Sequence, residues 1–402
     1  VAGLSLSLLL VVGLLAWAVL DDDPYVARPP GEPTARVQPA QAAEALHALE
    51  QAVDDRDESS ARALAPTGDD RAAALLGAVV RNAGALRVRD FTLRYVDEEG
   101  ALDQDGAWSA AVDATWAFAH FDDAPARAEV LVRFVAEDDR VALASLGGGD
   151  RRSPIWLDGP VRVRRTDRTL VLVEGSAAEA DGYARRASAA VPVVRRVLPG
   201  WTPRLVVEVP RSAAGLDRAL DAEPGEYANI AAVTTTADGS LAPDAPVHVF
   251  VNPDVFGGLR PQGAQVVMSH ETVHVATDAA RSSMPLWLLE GFADYVALRD
   301  VDLPITTTAG QIIKQVRHDG PPHRLPGAAE FDTSTSHLGA AYEAAWLACR
   351  VLAADGGEAA LVRFYEAVNH GRLVGAALRS SFGLTRREFT RQWRERLSDL
   401  AA

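Results

Sequence analysis

The residues most able to do chemistry lie in one short run, His270-Glu271-Thr272-Val273-His274. Residues four apart on a helix share a face, one turn above the other, so the two imidazoles can reach one ion. Zinc–nitrogen bonds of about 2.0–2.1 Å suit that spacing. Glu271 then points to the neighbouring edge, where it can meet a metal-bound water, which is the mechanism behind the H-E-x-x-H pattern. A catalytic zinc site needs a third protein ligand and keeps its fourth position open. Downstream, Trp287-Leu288-Leu289-Glu290-Gly291-Phe292-Ala293-Asp294-Tyr295 places Glu290 among apolar neighbours. A carboxylate buried there is costly without a partner, and a metal is such a partner. Asp294 falls on the same face, placed to accept a hydrogen bond from the outer nitrogen of a liganding histidine and fix its tautomer. Asp278 is a reserve ligand, although its position directs it along the helix, away from the ion.

These two motifs together resemble the gluzincin branch of the zincin metallopeptidases, and within it the bacterial peptidase MA-like domains. The likeness covers roughly residues 155–400, within a domain expected over 155–402. It implies an α+β zincin-like domain with a helical C-terminal part, and Glu290 as the third ligand. It also implies that Val247–Val251 is the edge strand to which substrate backbone adds. The metzincin pattern needs glycine and histidine where this chain has Thr277 and Ala280. The implied activity is peptide hydrolysis by a zinc-activated water, with Glu271 as general base. The oxyanion donor implied first is Tyr342, since similar families place a tyrosine in a helix after the glutamate ligand; His337 is the second candidate. Two other functions compete: an inactive zinc-stabilised binding module, and a ligand- or partner-sensing protein that acts through its N-terminal domain.

The elements that would position this site follow from periodicity. Helices are expected over Gln262–Asp278, Pro285–Leu298, Gly339–Ala354, Glu358–Asn369 and Thr385–Leu400. Before them come a hairpin of Val161–Arg165 and Thr169–Val173, a long helix over Ala177–Leu198, and strands Leu205–Val209 and Val247–Val251. The preceding region, 41–150, reads as two helices followed by strands Leu86–Val96, Trp108–Phe121, Ala128–Ala136 and Val141–Leu146. Helices first and long antiparallel strands after them make an α+β pattern. By layout this domain resembles the NTF2-like fold. Trp108, Val112, Trp116 and Phe118 alternate onto one face and read as core. His120 continues the alternation as a partly exposed polar residue.

Charge and composition set the remaining bounds. The net charge is −15, and residues 40–150 hold 22 acidic against 10 basic side chains. That region repels nucleic acid, and the chain offers no basic stripe or reader motif. The partner expected is a peptide or protein substrate. Lys314 is the only lysine, and the wealth of arginine and alanine points to a GC-rich bacterial source. The single cysteine, Cys349, excludes an intramolecular disulfide framework and Cys-rich zinc sites and reads as a buried thiol. Val1–Leu20 carry no charge and are long enough to span a bilayer. They are expected to form a membrane anchor, or a signal peptide cut after Ala16-Trp17-Ala18, ahead of a Pro-rich linker over 21–40. The catalytic part would then be extracytoplasmic or secreted.

Overall fold

The computed structural model describes residues 37–103, 106–332, 335 and 337–402. The expected membrane segment and most of the linker lie outside these residues. Among the described residues, no helix is long and apolar enough to cross a membrane. The fold is α+β and contains two sheets.

The first layer opens with helices α1 (Pro39–Asp55), α2 (Glu58–Ala63) and α3 (Asp70–Leu86). Asp57 and Asp69 cap α2 and α3 by accepting backbone N–H bonds, which satisfies donors that a helix start leaves free. Four antiparallel strands follow in the order β1 (Val88–Glu99), β2 (Ala107–Phe118), β3 (Ala126–Glu137) and β4 (Arg140–Leu146). Leu86 ends α3 instead of opening the first strand, because Arg87 turns the chain in the left-handed region. The second strand stops at Phe118, short of the expected Phe121. His120 has φ 76°, leaves the alternation, and lies within hydrogen-bond distance (2.9 Å) of the Asp167 carbonyl through its Nε2. The alternating aromatics of β2 are buried as core. Trp108 stacks on Phe134, and Trp116 packs against Trp156 of α4 (Ile155–Asp158).

The second sheet runs β5 (Arg162–Arg165), β6 (Thr169–Val173), β7 (Leu205–Val209), β9 (Val247–Val251), β8 (Ala232–Thr236). β6, β7 and β9 are parallel; β5 and β8 pair antiparallel at the two edges. The expectation for Val247–Val251 is therefore corrected. That strand lies inside the sheet, between β7 and β8, and among the described residues the edge on that side is Ala232–Thr236. Helix α5 (Ala177–Val197), opened by a Ser176/Glu179 capping box, packs on this sheet beside α8 (Pro261–Ala276). Between β7 and α8 come α6 (Ala213–Leu220) and α7 (Pro253–Phe256).

Beyond α8 the chain is helical: α9 (Leu286–Ala297), α10 (Ile305–Thr308), α11 (Gly310–Asp319), α12 (Leu338–Gly356), α13 (Glu358–Asn369), α14 (Val374–Phe382) and α15 (Arg386–Ala401). Their shared core holds Trp287, Phe292, Trp346, Phe364, Phe389 and Trp393. Cys349 is buried within it, unpaired, and burial pushes its thiol up, away from the reactive thiolate.

The two layers meet through buried polar groups. Asn82 of α3 donates to the carbonyls of Trp156 (2.8 Å) and Gly159 (2.7 Å), and accepts from Val161 N–H. His248, wholly buried on β9, lies between Glu208 of β7 (2.7 Å from Nδ1) and Asp122 beyond β2 (3.0 Å from Nε2). Its ring also stacks on Phe118. Burial opposes protonation of His248, but the two carboxylates outweigh it and push the imidazole up to about 10.

Candidate metal centre

Helix α8 positions the first two side chains. Pro261 sits at its N-terminal end, where a missing N–H costs nothing. The far end is clamped: Asn369 donates to the Thr277 carbonyl (2.8 Å) and Tyr365 to its hydroxyl (3.1 Å). The helix stops at Ala276, since Asp278 takes a left-handed conformation. Asp278 is solvent-facing, pairs with Arg281, and is not part of the cluster; the turn carries it away from the reserve role.

Helix α9 brings the third. His270, His274 and Glu290 each turn a ligand atom to a common point. The Nε2 atoms of His270 and His274 lie 3.0 Å apart, and Glu290 Oε2 is 3.1 Å from the first and 3.4 Å from the second. A tetrahedral ion with bonds of about 2.0–2.1 Å requires ligand atoms about 3.3 Å apart, so the triangle has the size zinc needs. Asp294 lies 2.8 Å from Nδ1 of His270. In the neutral imidazole that contact favours the ring proton on Nδ1, which would leave the Nε2 lone pair for a cation at the shared point.

Electrostatics agree with the geometry. Burial would raise Glu290, but the adjacent His274 and His270 overcome it and hold the carboxyl well below the usual carboxylate range. Burial would lower His270, but Asp294 and Glu290 drive it well above its ordinary value. Two imidazoles share this site with carboxylates on three positions, 271, 290 and 294, so the site attracts positive charge. A divalent cation satisfies that demand without protonating a ligand.

Glu271 is buried, and its Oε2 accepts a hydrogen bond of 2.7 Å from the hydroxyl of Thr234 on the edge strand β8. Tyr342 of α12 lies over the cluster, its ring centroid 6.1 Å from that of His270. Burial raises its phenol, and Glu290, Glu271 and Asp294 add to the rise, so the group stays protonated as a donor. His337 is exposed at the N-cap of α12, and none of the described contacts joins it to the cluster.

Two participants escape a reading of the sequence. Thr234 belongs to a strand that was not expected, although the run Ala232-Val233-Thr234-Thr235-Thr236 has the β-branched character of one. Gly291 sets the spacing of α9 and α12. A Cβ there would meet the Ala345 carbonyl carbon at 2.6 Å and Cys349 Sγ at 3.1 Å, so only glycine allows the two helices their present approach.

No family model matches the chain, and no curated protein matches it at a significant level.

Proposed function

We propose that the protein is a zinc-dependent peptidase of the gluzincin type, with a zincin-like catalytic part, residues 155–402, behind an NTF2-like layer, residues 41–150. One observation carries the reading: two Nε2 atoms and one carboxylate oxygen form a triangle with edges of 3.0–3.4 Å, beside a glutamate that is not part of it. A purely structural site has no use for that extra carboxylate. The uncharged run at residues 1–20 supports delivery to the membrane or beyond it, where the substrate would be an extracytoplasmic peptide or protein.

His270, His274 and Glu290 would hold the ion. Zinc bound there would supply Lewis acidity, polarising the scissile carbonyl and acidifying a water molecule. The outer edge of β8, unpaired among the described residues, would offer its backbone groups to an extended peptide. Glu271 takes a proton from the attacking water and passes it to the amide nitrogen as the C–N bond breaks, yielding a carboxylate and an amine. Tyr342, protonated, donates to the oxygen that gains charge. Asp294 keeps His270 in the tautomer that can bind a cation.

Glu271→Gln tests this reading. The variant is expected to retain one zinc per chain and to lose cleavage of a quenched-fluorescence peptide library. Cleavage at the parental rate removes Glu271 from the mechanism. A zinc-replete parent that is inert on every peptide supports a non-enzymatic zinc module instead.

A further inference from the structure

We infer that Thr234 is a positioning residue for the reaction proposed above: from the edge strand it grips the Glu271 carboxylate and holds its other oxygen toward the reacting water. The inference rests on that reaction but is separable from it.

Sheet geometry puts Thr234 there. Side chains alternate along a strand. Ala232 joins the core beneath α8 with Ala264 and Met268, while Val233 packs on the opposite face with Leu216 and Phe250. Thr234 therefore faces α8, in a register fixed by its pairing with Val249. Its hydroxyl is 2.7 Å from Glu271 Oε2 and 3.2 Å from the Glu271 carbonyl oxygen. The single hydroxyl proton goes to the nearer acceptor, Oε2, with the Glu271 carbonyl oxygen as its longer, secondary partner, and so ties the carboxylate of the base to a strand whose outer edge is unpaired among the described residues. A carboxylate has two oxygens, and with Oε2 occupied the other is left for proton transfer. Without the hydroxyl, a buried and torsionally free glutamate would swing among rotamers, and the fraction aimed at the water would fall. The position also lies in the strand on which we place the substrate, so seating an extended peptide on β8 would steady the anchor of the base.

The test uses the full chain loaded with zinc, as wild type, Thr234→Val and Thr234→Ser. Valine keeps the shape and β-branching but removes the donor; serine keeps the donor. Two readouts are taken: kcat and KM on a cleaved peptide, and the affinity for acetohydroxamate by calorimetry. Hydroxamate chelates a metal and hydrogen-bonds to a neighbouring carboxylate, so it reports the set of the base without turnover. The expected result for Thr234→Val is a kcat about tenfold lower at unchanged KM, with weaker hydroxamate binding and one zinc retained. Thr234→Ser restores both. Wild-type kcat and hydroxamate affinity in Thr234→Val overturn the inference, as does a Thr234→Ser that behaves like valine, which would make the role one of packing. Should wild type cleave no peptide, the peptidase reading fails and the hydroxamate arm decides the Thr234–Glu271 grip by itself. Thr234→Ala serves the same comparison if the valine variant does not fold.

Discussion

Gly291→Ala puts a methyl group where α9 and α12 touch, and its consequences can be worked through. The added Cβ would lie 2.6 Å from the Ala345 carbonyl carbon, with the carbonyl oxygen nearer still. Carbon atoms in contact prefer about 3.5–4.0 Å, so the helices must part by about 1 Å. No rotamer change relieves this, since the obstacle is backbone. Overpacking of this kind costs about 1–3 kcal/mol, and the rigid obstacle argues for the upper end. Alanine recovers about 1 kcal/mol of helix propensity. The net is a loss of about 2 kcal/mol, roughly thirtyfold in the folding equilibrium. Because α9 packs against both α8 and α12, the displacement also reaches the ligand triangle, whose edges of 3.0–3.4 Å leave little slack. Zinc affinity should fall about tenfold or more. Gly84→Ala is the control. Gly84 lies inside α3 with nothing within 4 Å of a new Cβ, so the same substitution should stabilise by about 0.5–1 kcal/mol. Urea denaturation and competition with a chromogenic chelator measure both variants. A Gly291→Ala protein as stable as the parent, with unchanged zinc affinity, would refute the claim that this glycine sets the helix spacing.

Three further outcomes are expected. Asp294→Ala removes the acceptor for His270 Nδ1 and should weaken zinc binding about 10- to 100-fold by the same competition assay. Tyr342→Phe should lower kcat about a hundredfold with little change in zinc content, measured on a cleaved peptide. The third concerns pH. His248 is raised from an ordinary 6.5 to about 10, so its contribution to stability is fully present below 6.5 and is lost as pH rises through about 10. The stability advantage of wild type over His248→Asn in urea should therefore shrink between those limits; an advantage that grows with pH would contradict the assignment.

What the sequence reveals and what it hides divide along the range of the interactions involved. His270, Glu271 and His274 stand on one helix, and their helical spacing alone is enough to put them on adjoining faces. Glu290 and Asp294 are legible in the same way, four apart on α9. The sheet is different. The resemblance implied that Val247–Val251 is the edge strand, but β8 pairs outside β9, and strand order depends on contacts that no local pattern encodes. The grip of Thr234 on Glu271 follows from that order, so it was hidden for the same reason. A glycine within a helical run signals a close approach, yet only the fold reveals that the neighbour at Gly291 is Ala345. His248 reads as one more residue of an apolar strand, because its partners are 40 and 126 positions away in the chain.

The His248 cluster bears on how the chain can be divided. A fragment beginning at Ile155 would keep Glu208 and His248 but lose Asp122, and Phe118 would no longer cover the ring. The middle of its sheet would then present a half-matched charge to solvent, one strand away from the anchor of Glu271. The first sheet thus behaves as a lining that the second requires, and any rearrangement that exchanged the one for an unrelated domain would have to rewrite position 248 in the other.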